Sequence, residues 1–137
     1  MKIKCIKNNL SKEEVQLHKL QYGDYSHIEI GSIYHVYGLN NFKGYTNIDY
    51  YDKKNKYLSF APLILFEIID NKVNPNWIIR FNDIGNYEIG FKPILENKFY
   101  WDDLIAGDKE IVNHFEKLRC IVEGTDDLDE LLNFKLK

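Results

Sequence analysis

Two cysteines, three prolines and one methionine in 137 residues leave this chain with few of the residues that announce a specialised scaffold. Cys5 and Cys120 stand near opposite ends, with no CxxC spacing and no histidine at ligand distance. That pattern predicts neither a disulfide framework nor a zinc site, only two small buried thiols in a reducing compartment. The longest apolar stretch, Phe60 to Phe66, contains Pro62 and is far shorter than the roughly 20 residues a bilayer demands, so no membrane span is expected. The basic start Met1-Lys2-Ile3-Lys4 lacks the apolar run and small-residue cleavage site of a signal peptide, which predicts a cytosolic protein. Glycine is dispersed rather than gathered at a strand-to-helix turn, which argues against phosphate and dinucleotide sites.

Catalytic signatures are equally scarce. His18, His27, His35 and His114 are scattered over separate segments, and no GxSxG, HExxH or cysteine–histidine pattern accompanies them. The acids Asp126, Asp127, Asp129 and Glu130 could suggest a cation site, but the glycine and the terminal glutamate of a calcium loop are missing. A solvated helix start capped by Asp126 or Asp127 is the plainer reading. No catalytic residue, cofactor or metal is therefore expected.

What the chain does contain is 45% hydrophobic and 15% aromatic residues, including ten tyrosines and eight phenylalanines. That content suits one globular domain over residues 1–137. Charge is uneven: residues 1–100 hold 13 Lys plus Arg against 11 Asp plus Glu, while residues 101–137 hold 5 against 10. An acidic tail is the wrong sign for displacing counterions from nucleic acid and the right sign for steering a basic partner.

The pattern predicts an α+β fold, an antiparallel β-meander of SH3-like or half-barrel type flanked by an N-terminal and a C-terminal helix. Ile3 to Ile6 suit a short edge strand. Ser11 and Glu14 form a capping box and Leu10 with Val15 a hydrophobic staple, so a helix starts there, with Gly23 as its stop. Strands follow at Ile28–Ile30 and Ile33–Tyr37, ended by Gly38, then a loop over residues 40–44. Tyr45–Tyr51 and Tyr57–Ala61 make one hairpin, Ile64–Ile69 and Trp77–Phe81 a second, and the latter strand with Tyr87–Phe91 a third. Alternation assigns the core to Ile64, Phe66, Ile68, Trp77, Ile79, Phe81, Tyr87, Ile89 and Phe91, with Glu67 across from Arg80 on the other face. After a short helix near Tyr100–Ile105, Asp108 caps a helix whose Ile111, Phe115, Leu118 and Val122 form one stripe, closed by Gly124.

The tyrosines Tyr45, Tyr50, Tyr51 and Tyr57 exceed what one inward face can bury, so some of them are expected at a partner interface. Candidate partner-binding residues are thus Tyr45, Tyr50 and Tyr51 together with Asp126, Asp127, Asp129 and Glu130.

The segment Gly31-Ser32-Ile33-Tyr34-His35-Val36-Tyr37-Gly38, with Leu65-Phe66-Glu67-Ile68-Ile69-Asp70, Asn76-Trp77 and Trp101-Asp102-Asp103-Leu104, resembles small bacterial immunity proteins of contact-dependent growth inhibition systems. The resemblance spans roughly residues 28–105. It implies a cytosolic antitoxin that binds one cognate toxin domain, a basic nuclease being the kind its acids would steer, and covers that toxin's active site without chemistry of its own. Two other expectations stand beside it: an SH3-like accessory module that binds a peptide or a partner enzyme, and a small enzyme built on Arg80, Asp83 and Glu88.

Overall fold

The computed structural model describes residues 1–42, 44–82 and 85–124. Its elements run β1 (Lys2–Cys5), α1 (Lys12–Leu17), β2 (Ile33–Phe42), β3 (Tyr45–Asp52), β4 (Tyr57–Pro62), a 3-10 turn (Leu63–Leu65), β5 (Phe66–Asp70), β6 (Trp77–Phe81), β7 (Tyr87–Phe91), α2 (Lys92–Glu96), α3 (Tyr100–Ile105) and α4 (Lys109–Glu123). The class is α+β, as the sequence predicts, around a mostly antiparallel sheet.

Topology departs from one continuous meander. β2 is long enough to serve two neighbours along the same side: its first residues pair with β1 and its later ones with β7, while β3 lies along its other edge. The sheet order is therefore β4-β3-β2-β1-β5, with β7 and then β6 branching from β2. β3–β4 and β6–β7 are the expected hairpins, and β2 pairs antiparallel with β3 as well. The expected pairing of β5 with β6 does not form; β5 pairs with β1 instead, so β1 is an interior strand rather than an edge. Glu67 and Arg80 are consequently not neighbours, and Arg80 faces Glu88 across β6–β7.

β2 also runs straight through Gly38 and the predicted loop at Asn40-Asn41. A register shift between Val36 and Gly38 places two β2 residues where β3 offers one, a β-bulge that turns Tyr37 and Gly38 toward the same face. Bulges of this kind carry no sequence period, which is why alternation alone stopped the strand at the glycine. Ile28–Ile30, expected as a strand, is a turn whose Ile28 is buried.

Two cores result, one on each side of the sheet. The first joins Ile3, Cys5, Val36, Ile48, Tyr50, Leu65 and Phe66 with Leu10, Tyr25 and Ile28 from the N-terminal segment. The second packs Tyr37, Tyr51 and Leu58 beneath Ile94, Tyr100, Leu104, Phe115 and Leu118 of the three C-terminal helices. Of the nine predicted core residues only Phe66 and Phe91 are fully buried, and Ile68, Ile79 and Phe81 are exposed. Burial along β6 does not follow the predicted alternation: that face of the pair is covered only at its Trp77–Phe91 end and lies open at Ile79 and Phe81.

Helix ends follow local chemistry. Ser11 accepts from the Glu14 amide at 3.1 Å while the Glu14 carboxylate accepts from the Ser11 amide at 3.2 Å, the expected capping box. α1 ends at Leu17, before Gly23, because Lys19 turns left-handed with φ of 54° and the chain doubles back. Gly23 serves close approach instead: a Cβ there would lie 2.7 Å from the Leu10 carbonyl oxygen. Asp108 caps α4 through the Ile111 amide, and Gly124 ends it at φ of 86°, both as predicted. The short α2 was not foreseen, although Pro93 in its first turn is a helix-start signal.

Candidate functional site

The C-terminal helices cover only part of their sheet face. α2 and α3 stand over one end of it and leave a cleft of about 860 Å³, floored by strands β4, β3, β2, β7 and β6. Strand register fixes the floor as two rows. One runs Pro62, Asn47, Asn40, Glu88 and Arg80 across β4, β3, β2, β7 and β6; the next runs Phe60, Asp49, Gly38, Gly90 and Ile78. Side chains in a row share a face, and the Asn47 side-chain Nδ2 donating to Asn40 Oδ1 at 3.3 Å reports it directly.

Asp49 is the group this arrangement perturbs most. The bulge sets Gly38 opposite it, and a Cβ at Gly38 would sit 2.8 Å from Asp49 Oδ2 and 2.8 Å from the Ile89 carbonyl oxygen. The carboxyl group thus leans into the space a side chain would fill. Burial, reinforced by the nearby Glu88 carboxylate, pushes its pKa up to about 7. Among the described residues no hydrogen bond or ion pair reaches that carboxyl. The Arg80 guanidinium cannot compensate, because it lies three strands away and donates to the Leu95 carbonyl oxygen on the cleft wall.

The walls are aromatic and apolar. Trp101 of α3 meets Phe60 edge-on at 6.4 Å, and Tyr45, Ile105 and Leu95 complete the rim, with Asp102 and Lys98 beside them. Phe60 and Ile105 are 58% and 63% exposed, far more than a packed core residue.

A second hollow lies at the other end of the sheet, around His35, Lys53 and Glu123. Its charges are already spent on one another. The Glu123 side chain, 2% exposed, meets Arg119 at 3.3 Å and Lys53 at 3.5 Å and accepts from the Tyr37 hydroxyl at 2.9 Å. Arg119 in turn stacks over the Tyr51 ring at 4.2 Å. This network fastens α4 to the sheet. Burial holds the His35 imidazole below its usual range.

The predicted partner residues are divided by the structure. Tyr45 lines the cleft. Tyr50 and Tyr51 are 2% and 7% exposed, one in each core, and are corrected from interface anchors to packing residues. Their adjacency in sequence put them on opposite faces, and both faces of β3 are covered there. Asp126, Asp127, Asp129 and Glu130 lie outside the described residues, as does Asp83. Arg80 and Glu88 do come together, across β6–β7. The four histidines do not converge; His114 is paired with the Tyr100 hydroxyl at 2.8 Å. Cys5 and Cys120 are free. No described helix is long and apolar enough to cross a membrane, and among the described residues no three His, Cys, Asp or Glu side chains gather to hold a metal ion. Asp49, which alternation marked only as a strand residue, had one signal in the sequence: an acid flanked by Ile48 and Tyr50 within a predicted strand.

No family model, curated protein or solved structure matches this chain.

Proposed function

We propose that the chain is a cytosolic immunity-type binding protein that covers the active site of one toxin domain, and that the α2–α3 cleft is its docking surface. One observation carries the reading: Asp49 and Glu88 lie on the floor of an open cleft whose rim is aromatic and apolar, and among the described residues no cation reaches Asp49. Exposed aromatic and aliphatic anchors around a partly desolvated pocket are the composition of an interface centre. The sign of the charge suits a basic nuclease, and the acidic balance of residues 101–137 adds long-range steering.

The test is a binding screen by size-exclusion chromatography and calorimetry against toxin domains encoded beside this gene. A one-to-one complex that weakens with salt and with Glu88→Lys or Phe60→Ala supports the proposal. Absence of any complex while the protein is folded overturns it, as does a complex that both substitutions leave unchanged.

The same two carboxyls favour a second reading. One acid that titrates near pH 7 beside an exposed Glu88 is the pairing that acid–base catalysis uses. A small enzyme of this kind would lose turnover in both Asp49→Asn and Glu88→Gln, with no toxin complex formed by either the parent or the variants.

A further inference from the structure

Three features of the cleft converge on one point. The Asp49 carboxyl is aimed over Gly38 and has no partner among the described residues. Beside it the Asn47–Asn40 amide pair presents planar hydrogen-bonding groups on the same face. Opposite stands the Trp101–Phe60 pair, whose ring faces and edges border the opening. A planar cation with several N–H donors satisfies all three at once: it forks onto a carboxylate, donates to amide oxygens and lies against an aromatic ring. A compact ammonium would use only the carboxylate, and an anion would meet Asp49 and Glu88 with the wrong sign.

We propose that the Asp49 notch is the seat for a single guanidinium group, an arginine side chain presented by the bound partner. This deepens the docking reading and rests on it for the source of the arginine. The seat fills with proton release. Asp49 is neutral below pH 7 and must ionise to hold the cation, so seating moves its proton to solvent. The charged and titratable groups lining the same cleft are Glu88 and Tyr87 on β7, Arg80 on β6, Tyr45 on β3 itself, and Lys98 and Asp102 on the helical wall; β2 and β4 contribute Asn40, Gly38 and Phe60, which do not titrate.

The probe is N-acetyl-arginine amide, with the neutral citrulline analogue as control, followed by the carbon resonance of the Asp49 carboxyl and by Trp101 fluorescence in a Trp77→Phe background. Arginine should lower the Asp49 titration midpoint and quench Trp101, and citrulline should do neither. For a ligand that requires the ionised form, affinity should weaken about a hundredfold from pH 8 to pH 5. Asp49→Asn should abolish both the binding and its pH dependence. Equal binding of citrulline, binding independent of pH, undiminished binding by Asp49→Asn, or no binding by the arginine probe each overturn the seat. The docking proposal fails separately: a toxin complex unchanged by Asp49→Asn removes the arginine seat and leaves docking intact, whereas an arginine probe that seats while no toxin domain binds does the reverse.

Discussion

Replacing Asp49 by asparagine should make the protein more stable at neutral and alkaline pH. The unfolded carboxyl titrates near its ordinary 3.8 and the folded one near 7, chiefly because of burial. Between those values the folded chain keeps a proton that the unfolded chain has released, so this group's contribution is greatest below pH 4, declines as pH rises, and levels off above 7. At 1.36 kcal/mol per pH unit the decline amounts to about 4 kcal/mol. His35 works in the opposite direction: its folded pKa lies below 6.5, so stability is regained as pH rises through the window beneath that value. The difference between parent and Asp49→Asn cancels His35 and isolates Asp49. Asparagine keeps the shape, carries no charge, and should match the parent within about 1 kcal/mol at pH 4. At pH 8 it should gain up to about 4 kcal/mol, a shift of roughly 2 M in the urea midpoint for a domain of this size. Urea unfolding at pH 4, 6 and 8, read by tryptophan fluorescence, measures it. Parallel pH profiles for parent and variant would refute the reasoning, because the carboxyl would then titrate alike in both states.

Four further outcomes follow from the packing. Arg119→Leu should cost about 3 kcal/mol in denaturant unfolding, since it strips from a Glu123 side chain that is 2% exposed the cation that meets it at 3.3 Å, while Lys53 at 3.5 Å is itself largely exposed. Gly38→Ala should cost about 1–3 kcal/mol, because its Cβ would meet the Ile89 backbone oxygen at 2.8 Å, and Asp49→Asn in the same chain should not rescue it. Ser11→Ala should lose about 1 kcal/mol by removing the α1 cap, measured by thermal unfolding. Trp77→Phe should cost less than the usual large-to-small core change: the indole N–H is buried without a partner among the described residues, so its loss offsets part of the lost packing, and a cost above about 3 kcal/mol would contradict this.

What the sequence made legible was local. The capping box at Ser11 and Glu14, the Asp108 cap, the glycine after α4 and the hairpin across residues 52–56 each depend on residues a few positions apart, and each formed as expected. Strand partnership between distant segments was not legible. β5 and β6 are joined by a short connection and look like a hairpin, yet β5 gains more by lying beside β1, where Phe66 and Ile3 share the first core. The inward face of β6 was inferred from its own alternation, which gives parity but not which parity is covered; Ile79 and Phe81 are 58% and 71% exposed as a result. The site stayed hidden for the same reason. Its floor draws on five strands and its wall on two short helices, and the bulge that brings Tyr37 and Gly38 to one face leaves no period to read.

The Asp49 environment ties these threads to function. A carboxyl that only served the fold would be better as asparagine, which would keep the shape without about 4 kcal/mol of unfavourable ionisation at alkaline pH. It would also not need Gly38 beneath it, a residue that lowers strand propensity while making room for one oxygen atom. Both features weaken the folded state where the cleft is open, and both become favourable once a cation occupies it. Destabilisation confined to one uncompensated group at the floor of a cleft is how binding sites hold free energy in reserve for a ligand. The stabilising effect of Asp49→Asn and its loss of arginine binding are therefore two readings of the same quantity. If the variant gains stability and still binds, the carboxyl is only a strained core residue; if it gains stability and loses binding, the strain belongs to the site.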